Sequence, residues 1–206
     1  MKENLLRWGY VFEANQGFWH KEGYKDISYS DGDEVEQRIY RIVQDASDLS
    51  VLSPQLRQHC TDWPSTYHLS SSRANLLRPF KTRLQSAEVL EIGAGCGAIT
   101  RYLGEIGSKV LALEGTTRRA AIARARTKDL QNIEVVADTF NDFNVDKKFD
   151  VVTLVGVLEY ANLFMAGETP AKSMLERALG FLKPNGTLII AIENQLGLKY
   201  FVGAKE

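Results

Sequence analysis

From residue 88 onward, short apolar runs alternate with segments of helical period. Val89–Ile92, Lys109–Leu113, Ile133–Ala137, Phe149–Val155 and Thr187–Ile192 read as strands. The last two are apolar almost throughout, as strands covered on both faces are. Ala98–Ile106, Thr116–Leu130 and Ala171–Leu182 read as the helices between them, the last stopped by Lys183-Pro-Asn-Gly186. Strand–helix alternation of this kind predicts an α/β fold with a mainly parallel sheet and right-handed crossovers.

Upstream the pattern differs. Residues 1–30 interleave aromatics (Trp8, Tyr10, Phe12, Phe18, Trp19, Tyr24, Tyr29) with Gly9, Gly17 and Gly23, which predicts short extended pieces and a hairpin around Asn15-Gln-Gly17. Ser30-Asp-Gly-Asp-Glu34 predicts a helix start, followed by an apolar face at Val35, Ile39, Ile42 and Val43. Ser53-Pro54 predicts a capped helix start. Asp62–His68 reads as a loop, and Ser70–Leu84 as a helix with Leu76, Leu77 and Phe80 inward, shortened or kinked by Pro79. Two parts follow: an extension over 1–65, with an aromatic flap that serves as a lid or docking segment, and an α/β domain over 66–206.

Composition changes little. The chain has 206 residues, 44% hydrophobic and 25% charged, with a net charge of -1. That is an ordinary globular make-up, and it argues against a nucleic-acid surface spread over the molecule. Arg118, Arg119, Arg124, Arg126 and Lys128 are read as a solvated helix face over Ala and Ile122. No apolar run is long enough to span a membrane, and the start is too polar for a signal peptide. Cys60 and Cys96 form no disulfide framework, and His20, His59 and His68 show no metal-ligand spacing. A reduced, cytoplasmic protein is expected.

The candidate chemistry lies at the strand ends. In an open parallel sheet, ligands bind outside the carboxyl ends of the strands. The first strand breaks into Gly93-Ala-Gly-Cys-Gly97 before a helix, so that backbone is free to approach a ligand there. Glu114 closes the next strand, where a carboxylate accepts hydrogen bonds from a ribose diol. Asp138-Thr139, Gly156 to Glu159-Tyr160, and Glu193-Asn194 close the others. Gly93, Gly95 and Ala98 also satisfy a dinucleotide fingerprint, which keeps an NAD-dependent oxidoreductase open as an alternative.

Taken together, Glu91-x-Gly-x-Gly-x-Gly97, Glu114, Asp138-Thr139, Phe149–Tyr160 and Leu182-Lys-Pro-Asn-Gly-Thr-Leu188 resemble the class I S-adenosylmethionine-dependent methyltransferases over residues 66–195 or so. The resemblance implies a Rossmann-like three-layer sandwich of strand order 3-2-1-4-5. It implies S-adenosylmethionine as cofactor, held by Glu91, Gly93, Ala94, Gly95, Gly97, Glu114, Gly115, Asp138, Thr139, Val155 and Gly156. Arg73, or else Tyr67 or His68, would close over the cofactor carboxylate. Glu159, Glu193 and His68 are the candidate bases, with Tyr160 and Asn194 positioning the acceptor. A magnesium-assisted reaction through Asp142, Glu159 and Glu193 stays open.

Asp31-Gly-Asp-Glu34, Trp63–Leu69, Arg73–Arg78 and Ile190–Phe201 resemble methyltransferase modules of bacterial surface-polysaccharide assembly proteins, often joined to glycosyltransferase modules. That implies a sugar, glycan or other small-molecule hydroxyl as acceptor. The two further strands that usually complete the family's sheet are not visible after residue 192, so a five-stranded sheet in a chain cut from a longer protein is expected, with the aromatic N-terminal segment as the competing candidate for the missing edge. A non-catalytic binding module is the third reading.

Overall fold

A computed structural model describes residues 1–193 and 197–203. A short helix α1 (Lys2–Arg7) leads into a hairpin of β1 (Tyr10–Glu13) and β2 (Phe18–Lys21), turned at Gly17. Helices α2 (Asp33–Asp45), α3 (Pro54–Gln58) and α4 (Trp63–Leu69) follow, then two 3-10 turns and α5 (Lys81–Leu84). The alternating region is β3 (Glu88–Ile92), α6 (Ala98–Glu105), β4 (Lys109–Glu114), α7 (Thr117–Arg126), β5 (Ile133–Ala137) and β6 (Phe149–Val155). A 3-10 turn, α8 (Ala161–Phe164), α9 (Pro170–Gly180), β7 (Leu182–Ala191) and α10 (Leu198–Phe201) complete it.

Among the described residues, one sheet has the order β1-β2-β5-β4-β3-β6-β7. The five strands of the alternating region take the expected 3-2-1-4-5 order, and every pair among them is parallel. The expected strand count is corrected from five to seven. The two further strands are β1 and β2: β2 lies parallel to β5, with Trp19 opposite Val136 and His20 opposite Ala137, and β1 runs antiparallel outside it. This hairpin caps the β5 edge, since a bare β5 would leave a row of unpaired backbone groups. Trp19 is buried, and its indole N–H donates to Glu134 at 2.9 Å, which fixes the hairpin's register.

Apolar layers cover both faces. One, with Val89, Val110, Ala112, Val135 and Val151, packs under α6 and α7. The other, with Leu90, Leu111, Val136, Phe149 and Val152, packs with Phe143, Met174 and Phe181. Successive residues of β3, β4 and β5 enter opposite layers, as the pleat requires, and in β6 the alternation shifts at the irregularity between Phe149 and Val151. Gly97 shows why a side chain is excluded at the start of α6. Its φ is 79°, and an added Cβ would stand 2.8 Å from the Ala123 backbone, so α6 and α7 close up only over a glycine.

Several local readings are corrected. Asp62–His68 is not a loop but contains α4: the Asp62 carboxylate accepts from the Ser65 N–H at 2.9 Å, in a capping box. Ser70–Leu84 is not one helix but three short turns, and of Leu76, Leu77 and Phe80 only Leu77 is buried. Lys183-Pro-Asn-Gly186 does not end a helix. It bulges out of β7, so that Phe149 pairs with Leu182 and Val151 with Thr187. β7 is also not covered throughout, because Ile190 is exposed.

The basic run is likewise not a solvated face, since Arg119 and Arg126 are buried. Arg119 donates to Glu36 at 2.7 Å and to Asp31 at 2.8 Å, tying α7 to α2 and to the segment before it. Arg126 donates to the backbone carbonyl of His68, satisfying the carboxyl end of α4. Burial pushes its guanidinium down to about 10.

Candidate functional site

The carboxyl ends of β3, β4, β5, β6 and β7 share one rim of the parallel sheet, and the glycine turn lies between β3 and α6. Its backbone donors turn inward. Gly93 and Ala94 N–H groups both donate to the Leu113 carbonyl, at 2.9 and 3.0 Å. Gly95 N–H donates to the Glu114 carboxylate at 2.7 Å, and Gly97 N–H to the Ala94 carbonyl. Donors committed in this way do not form an anion cradle. Over Gly93, the Val157 side chain takes the place a Cβ would need. Over Gly95 (φ 54°) there is open space, with no atom within 4 Å of a built Cβ.

Beneath the turn sits Glu91, 3% exposed. Its Oε2 has no hydrogen-bond partner, and the hydroxyls of Thr100 and Thr153 are also buried and unpartnered. Burial pushes the Glu91 carboxyl up to about 8; Thr100 and Arg73 act against this and Glu114 adds to it. A buried acceptor without a partner, with the Glu114 carboxyl near enough to act on it, suits a cationic ligand group and repels an anionic one. The proton bound to Glu91 has a consequence for stability. The folded carboxyl titrates above its ordinary 4.5, so the folded form binds the extra proton between pH 4.5 and 8. The stabilisation is therefore complete below about 4.5 and is lost as pH rises through 8, by up to about 1.4 kcal/mol per pH unit. Denaturant titrations across this range should show ligand-free protein losing stability as pH rises, and Glu91→Gln should flatten the profile. A parallel profile in that variant would remove Glu91 as the source.

Glu114, also buried, accepts from Gly95 N–H and, at Oε1, from the Thr116 N–H at 3.2 Å. Burial raises its carboxyl, opposed by Arg119 and these donors. Asp138 is 1% exposed. Its Oδ2 accepts from the Tyr10 hydroxyl at 2.5 Å and its Oδ1 from the Thr139 N–H at 2.9 Å.

The segment 22–32 lies across this end of the rim. Ile27 N–H and the Tyr24 hydroxyl both donate to the Gly115 carbonyl, at 3.2 and 2.7 Å. Asp26 accepts from the N–H and hydroxyl of Thr117, both at 2.9 Å. A Cβ on Gly115 would strike the Ile27 side chain at 2.4 Å. The aromatic-rich composition of this stretch announces a docked flap, but nothing local in it names Gly115 and Thr117 as the docking points.

At the β6 end, the Tyr67 hydroxyl lies 3.0 Å and the Glu159 Oε1 3.7 Å from a Cβ built on Gly156. Arg73 donates to the Tyr67 hydroxyl at 3.1 Å, and its guanidinium stands 4.1 Å from that ring's centre. Glu159 is exposed at its edge. Burial of its inner part raises its carboxyl, and Glu193 adds to this. Tyr29, Tyr160 and Phe164 form a ring cluster beside it, with Tyr29 and Tyr160 centroids 5.0 Å apart. Val155 ends β6 with its neighbour Gly156 at φ 68°.

His68 stands apart from the other candidate bases: it is buried, and its Nε2 meets Asp31 at 2.6 Å, within the Arg119 network. Asp142 pairs with Thr139 rather than with Glu159 or Glu193. Among the described residues, no group of three or more His, Cys, Asp and Glu side chains could hold a metal, and no helix is long and apolar enough to cross a membrane. Asn194 lies outside the described residues. The sequence pattern does not announce the Tyr10–Asp138 bond or Lys21 at 3.0 Å from the same carboxylate. Only the paired spacing of the Asn15–Gly17 hairpin could have hinted at them.

Residues 90–188 match a family model described as a methyltransferase domain. The chain is 33% identical over 103 residues to a demethylmenaquinone methyltransferase of Tropheryma whipplei, covering 50% of this chain and 40% of that one. It is 30% identical over 108 residues to a cypemycin N-terminal methyltransferase of Streptomyces, covering 52% and 42%. The chain thus spans less than half the length of these relatives. Among solved structures, an S-adenosylmethionine-dependent methyltransferase from Clostridium acetobutylicum superposes with a TM-score of 0.52 at 16% identity, over 64% of this chain and 54% of that one. That superposition speaks for the fold, and the matched segment runs from the end of the first parallel strand into the last. Residues 90–188 are thus similar to a methyltransferase domain, on a fold shared with an S-adenosylmethionine-dependent methyltransferase.

Proposed function

We propose that this protein is a cytoplasmic methyltransferase that uses S-adenosylmethionine to methylate a hydroxyl of a sugar, glycan or other small molecule. The observation that carries the reading is the polarity of the glycine turn. The N–H groups of Gly93, Ala94, Gly95 and Gly97 are spent internally, and a buried carboxyl with an unpartnered oxygen lies beneath the turn. A pyrophosphate needs the reverse arrangement, which disfavours an NAD enzyme.

In this reading Glu91 and the Val155 and Gly156 carbonyls face the ammonium of the methionine part, and the turn at Gly93, Ala94, Gly95 and Gly97 lies along it. Arg73, steadied by Tyr67, meets its carboxylate. Glu114 and Gly115 hold the ribose, and Asp138 and Thr139 the adenine. When bound, the cofactor supplies an electrophilic methyl group on a sulfonium. The protein's part is to align the acceptor and exclude water. Glu159 takes the acceptor's proton, its carboxyl raised by burial and by Glu193 alongside. The rings of Tyr29, Tyr160 and Phe164 offer the acceptor a flat apolar wall. A glycosyltransferase module in the same longer protein would supply such an acceptor.

One observation favours a second reading, a non-catalytic module: Gly115 and Thr117, beside the buried Glu114, are covered by the chain's own segment 22–32, and Asp138 is buried against Tyr10 and Lys21 of the hairpin. In the enzyme reading this segment swings aside to admit the nucleoside. Thermal unfolding with S-adenosylhomocysteine and with NAD separates the cases. Selective stabilisation by the former supports the enzyme; stabilisation by NAD alone, or by neither in folded protein, refutes it.

A further inference from the structure

The hairpin β1–β2 reaches the ligand rim as well as closing a sheet edge. Because β2 is parallel to β5, its carboxyl end arrives beside the carboxyl end of β5. Because β1 is antiparallel to β2, its amino end arrives there too. Tyr10 and Lys21 are directly paired across the hairpin at that point, and both reach Asp138. The Tyr10 hydroxyl donates to Oδ2 at 2.5 Å, and the Lys21 ammonium lies 3.0 Å from the same oxygen. Lys21 is itself steadied by the Asp142 carbonyl at 2.9 Å. Oδ1 accepts from the Thr139 N–H at 2.9 Å.

A carboxylate offers about four lone-pair positions. The Tyr10 hydroxyl takes one on Oδ2 and the Thr139 N–H one on Oδ1, and the Lys21 ammonium stands against Oδ2 as an ion pair, which leaves Oδ1 an open acceptor position. We propose that Tyr10 and Lys21 are positioning residues that fix the Asp138 carboxylate as an acceptor, and so make the cofactor site selective for a 6-amino purine over a 6-oxo purine. This rests on the methyltransferase reading above. An exocyclic amino group brings the donor that Oδ1 lacks; a keto oxygen would face a lone pair, and sites built on such a complementarity reject the mismatched analogue strongly. Burial and Asp138 together push the Tyr10 phenol far up, so its hydroxyl remains a donor to Oδ2.

The test is equilibrium titration of S-adenosylhomocysteine and its inosine counterpart against wild type, Tyr10→Phe, Lys21→Met and Lys21→Arg, with melting temperatures in parallel. Wild type is expected to prefer the adenosine compound by roughly 30-fold or more, and Tyr10→Phe and Lys21→Met to cut that ratio by about 5-fold or more, the first removing a hydrogen bond to a charged group and the second its ion-pair partner. Lys21→Arg should restore most of it. If Tyr10→Phe does not fold, Lys21→Met decides, because that side chain is 35% exposed. An unchanged ratio with a lowered melting temperature would make both residues mere attachments of the hairpin and overturn the proposal while leaving the cofactor assignment intact. Absence of any preference in wild type overturns it as well. Failure of folded wild type to bind S-adenosylhomocysteine removes both.

Discussion

Glu114→Ala is expected to lower affinity for S-adenosylhomocysteine by roughly 100-fold and, unlike a replacement at a surface ligand-binding residue, to cost stability too. The affinity term follows from losing charge-assisted hydrogen bonds to a diol, about 3 kcal/mol together, at about 1.4 kcal/mol per tenfold. The stability term follows from the ligand-free structure. Glu114 accepts from Gly95 N–H and Thr116 N–H, and both donors lose a buried acceptor when the carboxylate goes. Each orphaned donor costs about 1–3 kcal/mol. Glu114→Gln keeps the shape and part of this bonding, so it should recover most of the stability and little of the affinity. Denaturant midpoints and ligand titrations on the two variants separate the terms. Wild-type affinity in a folded Glu114→Ala protein would remove the residue from the ribose site.

Arg119→Met is expected to destabilise the fold by about 3 kcal/mol, the largest effect of a single change outside the rim. Arg119 and Glu36 are 6% and 1% exposed and bonded to each other, and removing one partner of a buried pair strands the other. Arg118 also reaches Glu36, at 3.2 Å, which holds the cost to the lower part of the usual range. The same guanidinium bonds Asp31 and lies 4.8 Å from the Tyr29 ring, so its loss frees the segment that crosses Gly115. Amide hydrogen exchange should quicken over 22–32 well before the sheet is affected. A loss below about 1 kcal/mol, with unchanged exchange there, would show that the α2–α7 ion pairs do not anchor the extension.

The parts of the fold that sequence made legible are those governed by local pattern. The succession of β3 to β7 along the chain follows from apolar runs alternating with helices, their order in the sheet is what the family resemblance implies, and the Asn15–Gly17 hairpin and the Ser53-Pro54 cap follow from turn and cap chemistry. The rim is legible for the same reason, since a strand end is marked by where its apolar run stops. Asp62 and Pro64 signal the start of α4, but the aromatic and polar side chains of Trp63, Tyr67 and His68 give the same stretch the composition of a loop. The burial of Arg119 and Arg126 was not legible at all. The partners of Arg119 lie more than 80 residues away, on α2 and the segment before it, so a window on α7 alone shows only charge. The docking of β2 on β5 is hidden likewise, because a short hairpin carries no record of which edge it joins.

The central claim is that the glycine turn and its buried carboxyl form a site for a cationic methyl donor. Calorimetric titration with S-adenosylmethionine at pH 6 and pH 8 tests it most directly. The account predicts one binding event per chain, tighter at pH 8, where less energy is needed to release the proton from Glu91. It also predicts that Glu91→Gln binds more weakly and without that pH dependence. Tight binding of NAD with none of S-adenosylmethionine, or affinity for S-adenosylmethionine unchanged by Glu91→Gln, would contradict it.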